Sequence, residues 1–393
     1  TLKDEDGKIV PAQVSGGGHY WGHEYVDVSW TAADVPGMGY RSFFMERSPA
    51  DQNLLGLAVD PTWLGDADRA KGTDAPVFVA GDGRMHNEYF KIQVEPGSGS
   101  IVSLIDRQTG EELVPAGARL GLFQVAYETP HGMSSWVVGP ITRTTELLQG
   151  GRMNVAEAGP GRAVLRTQHS FGDSRLSVDI ILARGVPRVD FLVRVDWLEV
   201  GGPHKDSPML KMVFPVALEE SRALFEVPFG SIEREQTGEE VPTQQWVGLQ
   251  GNAASGKPYS VAVLNDYKYG CDVSDSTVRM TLLRASYDPD PYPELGRHEM
   301  RFALVARPDE VSCGEFTRWG QEFNNPLSAL TVYSEGTPQT GAIATARTEG
   351  VVESLAARGG FLTVGPDNVG FAALKVAEDS SDVVLRIFET DGK

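Results

Sequence analysis

The stretch SVAVLNDYKYGCDVSDSTVRMTLLR, residues 260–284, decides the reading of the whole chain. Its residues alternate. Val261, Val263, Asn265, Tyr267, Tyr269, Cys271 and Val273 share one parity, and Ala262, Leu264, Asp266, Lys268, Gly270 and Asp272 the other. A period of two is the signature of a β-strand, whose successive side chains point to opposite faces. Read as one continuous strand, the stretch puts both tyrosine rings on the Val-rich core face, with their hydroxyls reaching polar partners. Asp266, Lys268 and Asp272 then form a strip of alternating charge. Such a strip is either a solvated face with weak ion pairs or a polar interface to another domain. Neither reading is catalytic, so NDYKYG (265–270) is expected to be architecture.

The same alternation recurs in YVDVSW (25–30), RSFFME (41–46), YFKIQVE (89–95), SIVSLID (100–106), LSVDIILA (176–183), VDFLVRVDW (189–197) and DVVLRIFE (382–389). Gly, Pro, Asp and Asn punctuate these runs at short intervals. The pattern predicts an all-β sandwich protein. Helical spacing is confined to 312–323 and, more weakly, 350–358. The 393 residues exceed one ordinary core. Breaks in the strand pattern suggest a small β-unit over 1–85, a large two-sheet supersandwich over 86–307, and a short helix with a small β-sandwich over 308–393.

A formal net charge of −19 argues against binding to nucleic acid and to anionic membranes. No apolar run approaches the roughly 20 residues of a membrane-spanning helix. The two cysteines, Cys271 and Cys313, are far apart, and free thiols in a reducing compartment are expected. With no secretion signal visible, the expected location is cytoplasmic. The chain opens on TLKDEDGKIV without Met, which suggests a piece of a longer polypeptide.

Candidate chemistry gathers in VAYETPHGMSSWVVG (125–139). Tyr127, Glu128, His131 and Trp136 flank a Pro130–Gly132 turn. Aromatic faces and hydrogen-bonding groups converging on one loop suit sugar binding, so these four are the expected substrate-binding residues. The alternative is a rigid loop packed on its own sandwich. His19 and His23 in HYWGHEY could ligate zinc only on a helix, and the flanking glycines and YVDVSW predict a strand or loop. Glu226, Glu233, Arg234 and Glu235 could supply a carboxyl pair by composition. His298 and Glu299 open a strand, where Glu299 shares a face with Arg301 and an ion pair is expected.

Several long motifs, in order, resemble glycoside hydrolase family 38, the α-mannosidases. They are LFEVPFGSIERE (224–235), QQWVGL (244–249), NDYKYG and LLRASYDPDPYPELGRHEMRFAL (282–304). NEYFKIQVEPGSGSIVSLIDRQTGEEL (87–113), ADVPGMGYRSFFME (33–46) and VVLRIFETDG (383–392) extend the resemblance over nearly the whole chain. The resemblance implies the C-terminal β-region of a retaining glycosidase, with a galactose-mutarotase-like supersandwich. It implies an Asp nucleophile and a zinc ion held by His and Asp in an N-terminal barrel outside these residues. The family's His-x-Asp metal motif is expected to be absent here, leaving no catalytic or metal-binding residue in this chain. The implied partners are an α-mannoside or related carbohydrate and the chain's own catalytic domain, with self-association of the isolated chain. In the family the 125–139 stretch reaches toward the sugar pocket and is usually Asp-rich ("DAWD"), a pattern from which this sequence departs. A non-catalytic carbohydrate-binding or mutarotase-like sandwich is the alternative function.

Overall fold

A computed structural model describes residues 2–45, 77–331 and 356–392. The described residues are all-β apart from one helix. Its centre is a pair of antiparallel sheets packed face to face. One has six strands, ordered Ile141–Glu146, Leu122–Glu128, Ser207–Pro215, Thr277–Arg284, Gly270–Ser274 and Val241–Pro242. The other has nine, ordered Arg152–Ala158, Arg162–Phe171, Ser174–Ala183, Arg188–Trp197, Gly296–Arg307, Pro258–Asn265, Trp246–Asn252, Glu219–Val227 and Gly230–Arg234.

Alternation explains how one face of each sheet closes the core. In Arg188–Trp197 every second residue is buried, and Val189, Phe191, Val193, Val195 and Trp197 all point inward. Phe214 of the six-stranded sheet crosses the interior to meet Phe191 edge-on at 5.7 Å and Phe302 at 6.4 Å. Phe191 and Phe302 are themselves cross-strand partners, so three rings clamp the sheets together.

Four adjacent strands of the nine-stranded sheet, Gly296–Arg307, Pro258–Asn265, Trp246–Asn252 and Glu219–Val227, carry apolar residues on both faces. Their outer residues Leu224, Trp246, Ala262, Leu264, Ala303 and Val305 are covered by Phe316 and Phe323 of the helix Cys313–Asn324. Ser312 caps this helix, its side chain accepting from the Glu315 N–H at 3.2 Å. Trp246 and Phe316 stack at 5.0 Å. Gly248 leaves the room, since a Cβ there would lie 2.9 Å from the Phe316 ring. The weaker helical signal at 350–358 lies mostly outside the described residues; Arg358 itself begins a strand.

The opening stretch is not one strand. Pro258–Asn265 belongs to the nine-stranded sheet and Gly270–Ser274 to the six-stranded one, so residues 266–269 cross between sheets. The alternation therefore breaks. Tyr267 and Tyr269 are 41% and 50% exposed rather than in the core, although the Tyr267 hydroxyl donates to the Glu299 carbonyl at 2.7 Å. Asn265 organises the crossing. Its side-chain oxygen accepts from the Lys268 N–H at 2.9 Å and its amide donates to the Gln244 carbonyl at 2.6 Å. Asp266 pairs with Arg301 at 3.3 Å. Asp272 is not on a solvated strip either. It is buried, held by Lys211 at 2.6 Å and Arg279 at 2.9 Å.

Smaller ladders surround this centre. A four-stranded sheet runs from Phe78–Val79 through Arg84–His86 and Phe90–Val94 to Ile101–Asp106, continuous across residue 85. Two hairpins, Ala12–Tyr20 with His23–Trp30 and Val369–Val376 with Val383–Glu389, flank it in sequence. Gly39–Arg41 pairs with Arg358–Gly360, so the first and last segments of the described chain share one ladder.

Candidate functional site

Glu128 ends the strand Leu122–Glu128, and Ile141–Glu146 returns antiparallel to it. The loop between them, 129–140, is zipped to a second loop that follows Arg284. The Met133 N–H donates to the Asp288 carboxylate at 2.7 Å and the Ser135 N–H to the Asp288 carbonyl at 2.8 Å. The Ser134 hydroxyl accepts from the N–H groups of Tyr287 and Asp288 at 3.0 Å each, and the Tyr287 hydroxyl donates to the His131 carbonyl at 2.8 Å.

The four expected residues end up in different places. Glu128 is fully buried. Arg284 grips it through two parallel bonds, Nε to Oε2 at 2.8 Å and Nη2 to Oε1 at 2.6 Å. The Gly139 N–H donates to it at 2.6 Å, and His131 Nε2 makes a further short contact. Burial works to raise this carboxyl, but Arg284, the Gly139 N–H and His131 together hold it below the usual carboxylate range. The same contact with Glu128 raises the His131 imidazole above its ordinary value. Direct contact between Glu128 and a sugar, expected from the sequence, does not fit a carboxylate with no exposed surface and its oxygens already occupied.

Tyr127 is half-buried and packs on the main core. The Arg143 guanidinium lies over its ring at 3.4 Å. Trp136 is the accessible member, 69% exposed. Its position is fixed by a turn at Met133, whose carbonyl accepts from the Trp136 N–H at 2.9 Å. The structure therefore joins Glu128 to His131, sets Tyr127 against Arg143, and leaves Trp136 open beside the exposed Met133 and Val137. Arg284 escaped the sequence reading. Its signal was an arginine closing the strand VRMTLLR, and nothing local indicates a partner 156 residues away.

The remaining candidates resolve individually. His19 faces Glu24 across a β-hairpin, not along a helix. Glu226 is buried and accepts from the Gln245 N–H at 2.5 Å, and burial pushes it up to about 7. Glu233 instead meets Arg222 at 3.5 Å. With Arg234 and Glu235 it lines an open surface groove, and no contact joins it to Glu226 among the described residues. Glu299 pairs with Arg194 at 2.8 Å on the neighbouring strand, not with Arg301. His298 Nε2 meets the Glu294 carbonyl at 2.7 Å. Cys271 and Cys313 are free.

One His-x-Asp triplet does occur, His204-Lys205-Asp206, contrary to expectation. It lies on a turn with His204 exposed, and Asp206 is 3.9 Å from Arg143. Among the described residues no three His, Cys, Asp or Glu side chains converge as a metal site. The resemblance places its zinc ligands in an N-terminal barrel outside these residues.

Fold and site together define a multi-sheet β-sandwich protein whose polar side chains cluster on loops at the rim of the smaller sheet. Comparison with known proteins makes the assignment specific. The family model for the glycosyl hydrolases family 38 C-terminal domain matches residues 85–292, and the chain belongs to that family. Human alpha-mannosidase 2C1 is 30% identical over 272 residues, covering 65% of this chain and 25% of that protein. Alpha-mannosidase G of Dictyostelium discoideum is 24% identical over 325 residues, covering 80% of this chain and 28% of the relative. The chain thus spans about a quarter of the length of the curated relatives it matches. The crystal structure of an alpha-mannosidase from Enterococcus faecalis V583 superposes with a TM-score of 0.68 at 14% identity, over 99% of this chain and 45% of that one. That likeness establishes a shared fold. Among the described residues no helix is long and apolar enough to cross a membrane.

Proposed function

We propose that this chain is the β-rich C-terminal portion of an α-mannosidase-like retaining glycosidase that acts on α-linked mannosides in the cytoplasm. The observation that carries the reading is the family match over 85–292, which contains the whole 129–140 loop. In this reading a zinc-dependent catalytic domain supplies the nucleophile and the metal. The β-sandwich braces that domain and presents the loop to its pocket. Trp136 offers an accessible ring for stacking on the sugar's C–H face. Glu128 acts as the anchor that fixes His131 rather than as a sugar ligand.

The 393-residue chain alone is expected not to hydrolyse an aryl α-mannoside, with or without added zinc, because in this reading the nucleophile that meets the oxocarbenium-like transition state belongs to the catalytic domain. Chelator-sensitive turnover by the purified chain sinks this division of labour. In the full-length enzyme, Trp136→Ala is expected to lower kcat/KM at least about ten-fold, or about 1.4 kcal/mol, with an unchanged melting temperature. Wild-type kinetics in that variant would remove the loop from the substrate site.

A further inference from the structure

The hairpin Ala12–Tyr20 with His23–Trp30 has a feature that the 129–140 loop does not share. Toward its tip both faces are exposed. Trp21 and Gly22 turn the chain with φ of 49° and 79°, the positive values a two-residue hairpin turn requires. Three glycines, Gly16, Gly17 and Gly18, occupy the opposing strand. The register pairs Gly16 with Asp27, Gly18 with Tyr25 and Tyr20 with His23, so Asp27, Tyr25 and Tyr20 share one face.

The missing side chains let their partners lie flat. A Cβ on Gly18 would fall 2.7 Å from the Tyr25 hydroxyl and 2.9–3.0 Å from its ring carbons. The ring therefore rests across the Gly18 backbone with its other face toward solvent, and Tyr25 is 50% exposed. Asp27 lies across Gly16 in the same manner, its Oδ2 2.7 Å from where a Cβ would stand. Among the described residues the Asp27 carboxylate has no ion pair and no side-chain hydrogen bond. Beyond Tyr25, Tyr20 lies on the same face, and its ring centroid is 6.4 Å from that of Trp21 in the turn. Packing over a glycine accounts for Tyr25 alone. It does not account for a free carboxylate two residues from an open ring face, or for two further exposed rings at the hairpin's tip.

We propose that this face of the hairpin is a second saccharide-binding surface, independent of the 129–140 loop. Tyr25 is the stacking platform, Asp27 the acceptor for ring hydroxyls, and Tyr20 with Trp21 the continuation for a further sugar unit. The ligand class is a neutral oligosaccharide. A pyranose presents a flat C–H face to an aromatic ring and donor hydroxyls at its edge, matching a ring and a carboxylate about 7 Å apart on one strand face. The row from position 27 to 23 spans about 13 Å, enough for two to three sugar units. The chain's strong negative charge disfavours an anionic glycan.

The test is saturation-transfer NMR and titration of the 393-residue chain with α-linked mannotriose, and with cellotriose for comparison. Binding of one or both near about 1 mM is expected. Tyr25→Ala and Asp27→Asn should each weaken it at least about five-fold, the scale of one stacked ring or one charged acceptor. Gly18→Val keeps the tyrosine but evicts its ring from the backbone, and should produce the same loss with unchanged circular dichroism. Trp136→Ala should leave this binding intact, which separates the hairpin from the loop. The proposal is overturned by no transfer from either probe at about 10 mM, or by binding that survives both Tyr25→Ala and Asp27→Asn.

Discussion

Arg284 holds Glu128 in a two-point grip, at 2.8 and 2.6 Å, with the carboxylate fully buried and the Arg284 side chain only 14% exposed. Arg284 also donates to the Val137 carbonyl at 2.6 Å. One arginine at the end of a strand thus fixes both ends of the loop that carries Trp136. Removing either charge leaves the other buried without its counterion, the expensive case for an internal ion pair. Glu128→Ala and Arg284→Ala should each lower unfolding stability by about 3–5 kcal/mol in urea titrations. The double variant should lose less than the sum. Additive losses would show that the two groups act separately.

His131 gives the same loop a pH dependence. Glu128 beside it raises its pKa above the ordinary 6.5 in the folded state. A group raised on folding stabilises fully below its unfolded value and loses that contribution as pH rises through the folded one. Stability should therefore decline above about pH 6.5 in a step that His131→Gln removes. The opposing Glu128 carboxyl is depressed, so its contribution is present above 4.5 and is lost only as pH falls below that value. An NMR titration placing the His131 pKa below 6.5 contradicts this.

Glu226 works in the opposite sense to an ordinary carboxylate. Burial raises it from 4.5 to about 7, despite the backbone donors of Gln245 and Trp246. The folded state therefore holds the proton more tightly than the unfolded chain. Its stabilising contribution is complete below about pH 4.5 and is lost as pH rises through about 7. Glu226→Gln keeps an acceptor for the Gln245 N–H and should flatten the stability profile between pH 5 and 8. A wild-type profile already flat across that window argues against a raised Glu226.

The helix lid on the nine-stranded sheet is a packing prediction. Phe316 is fully buried against Trp246, so Phe316→Ala should cost about 3–5 kcal/mol. Gly248→Ala places a methyl 2.9 Å from that ring and should cost about 1–3 kcal/mol by overpacking. If the alanine at 248 is neutral in thermal melts, the helix can slide, and the lid is less rigid than its stacking implies.

Much of this fold can be read locally. The inward row of Arg188–Trp197 and the capped helix after Ser312 follow from periods of two and 3.6, which depend only on near neighbours in sequence. The loop at 125–139 was likewise marked by its residue types, and the family by the order of its motifs. Three features were decided by tertiary structure. Residues 266–269 keep a strand's alternation yet cross between sheets, because the hydrogen bonds that end a strand come from distant partners such as Gln244 and Arg301. Glu128 reads as a sugar ligand until Arg284 arrives from 156 residues away and consumes it. Gly39–Arg41 meets Arg358–Gly360 across most of the chain. Sequence fixes a side chain's chemistry and which face of its own strand it takes. Strand partnership is set by long-range packing and register, and that partnership decides whether the same carboxylate is a solvent-facing acceptor, as at Asp27, or a buried anchor, as at Glu128.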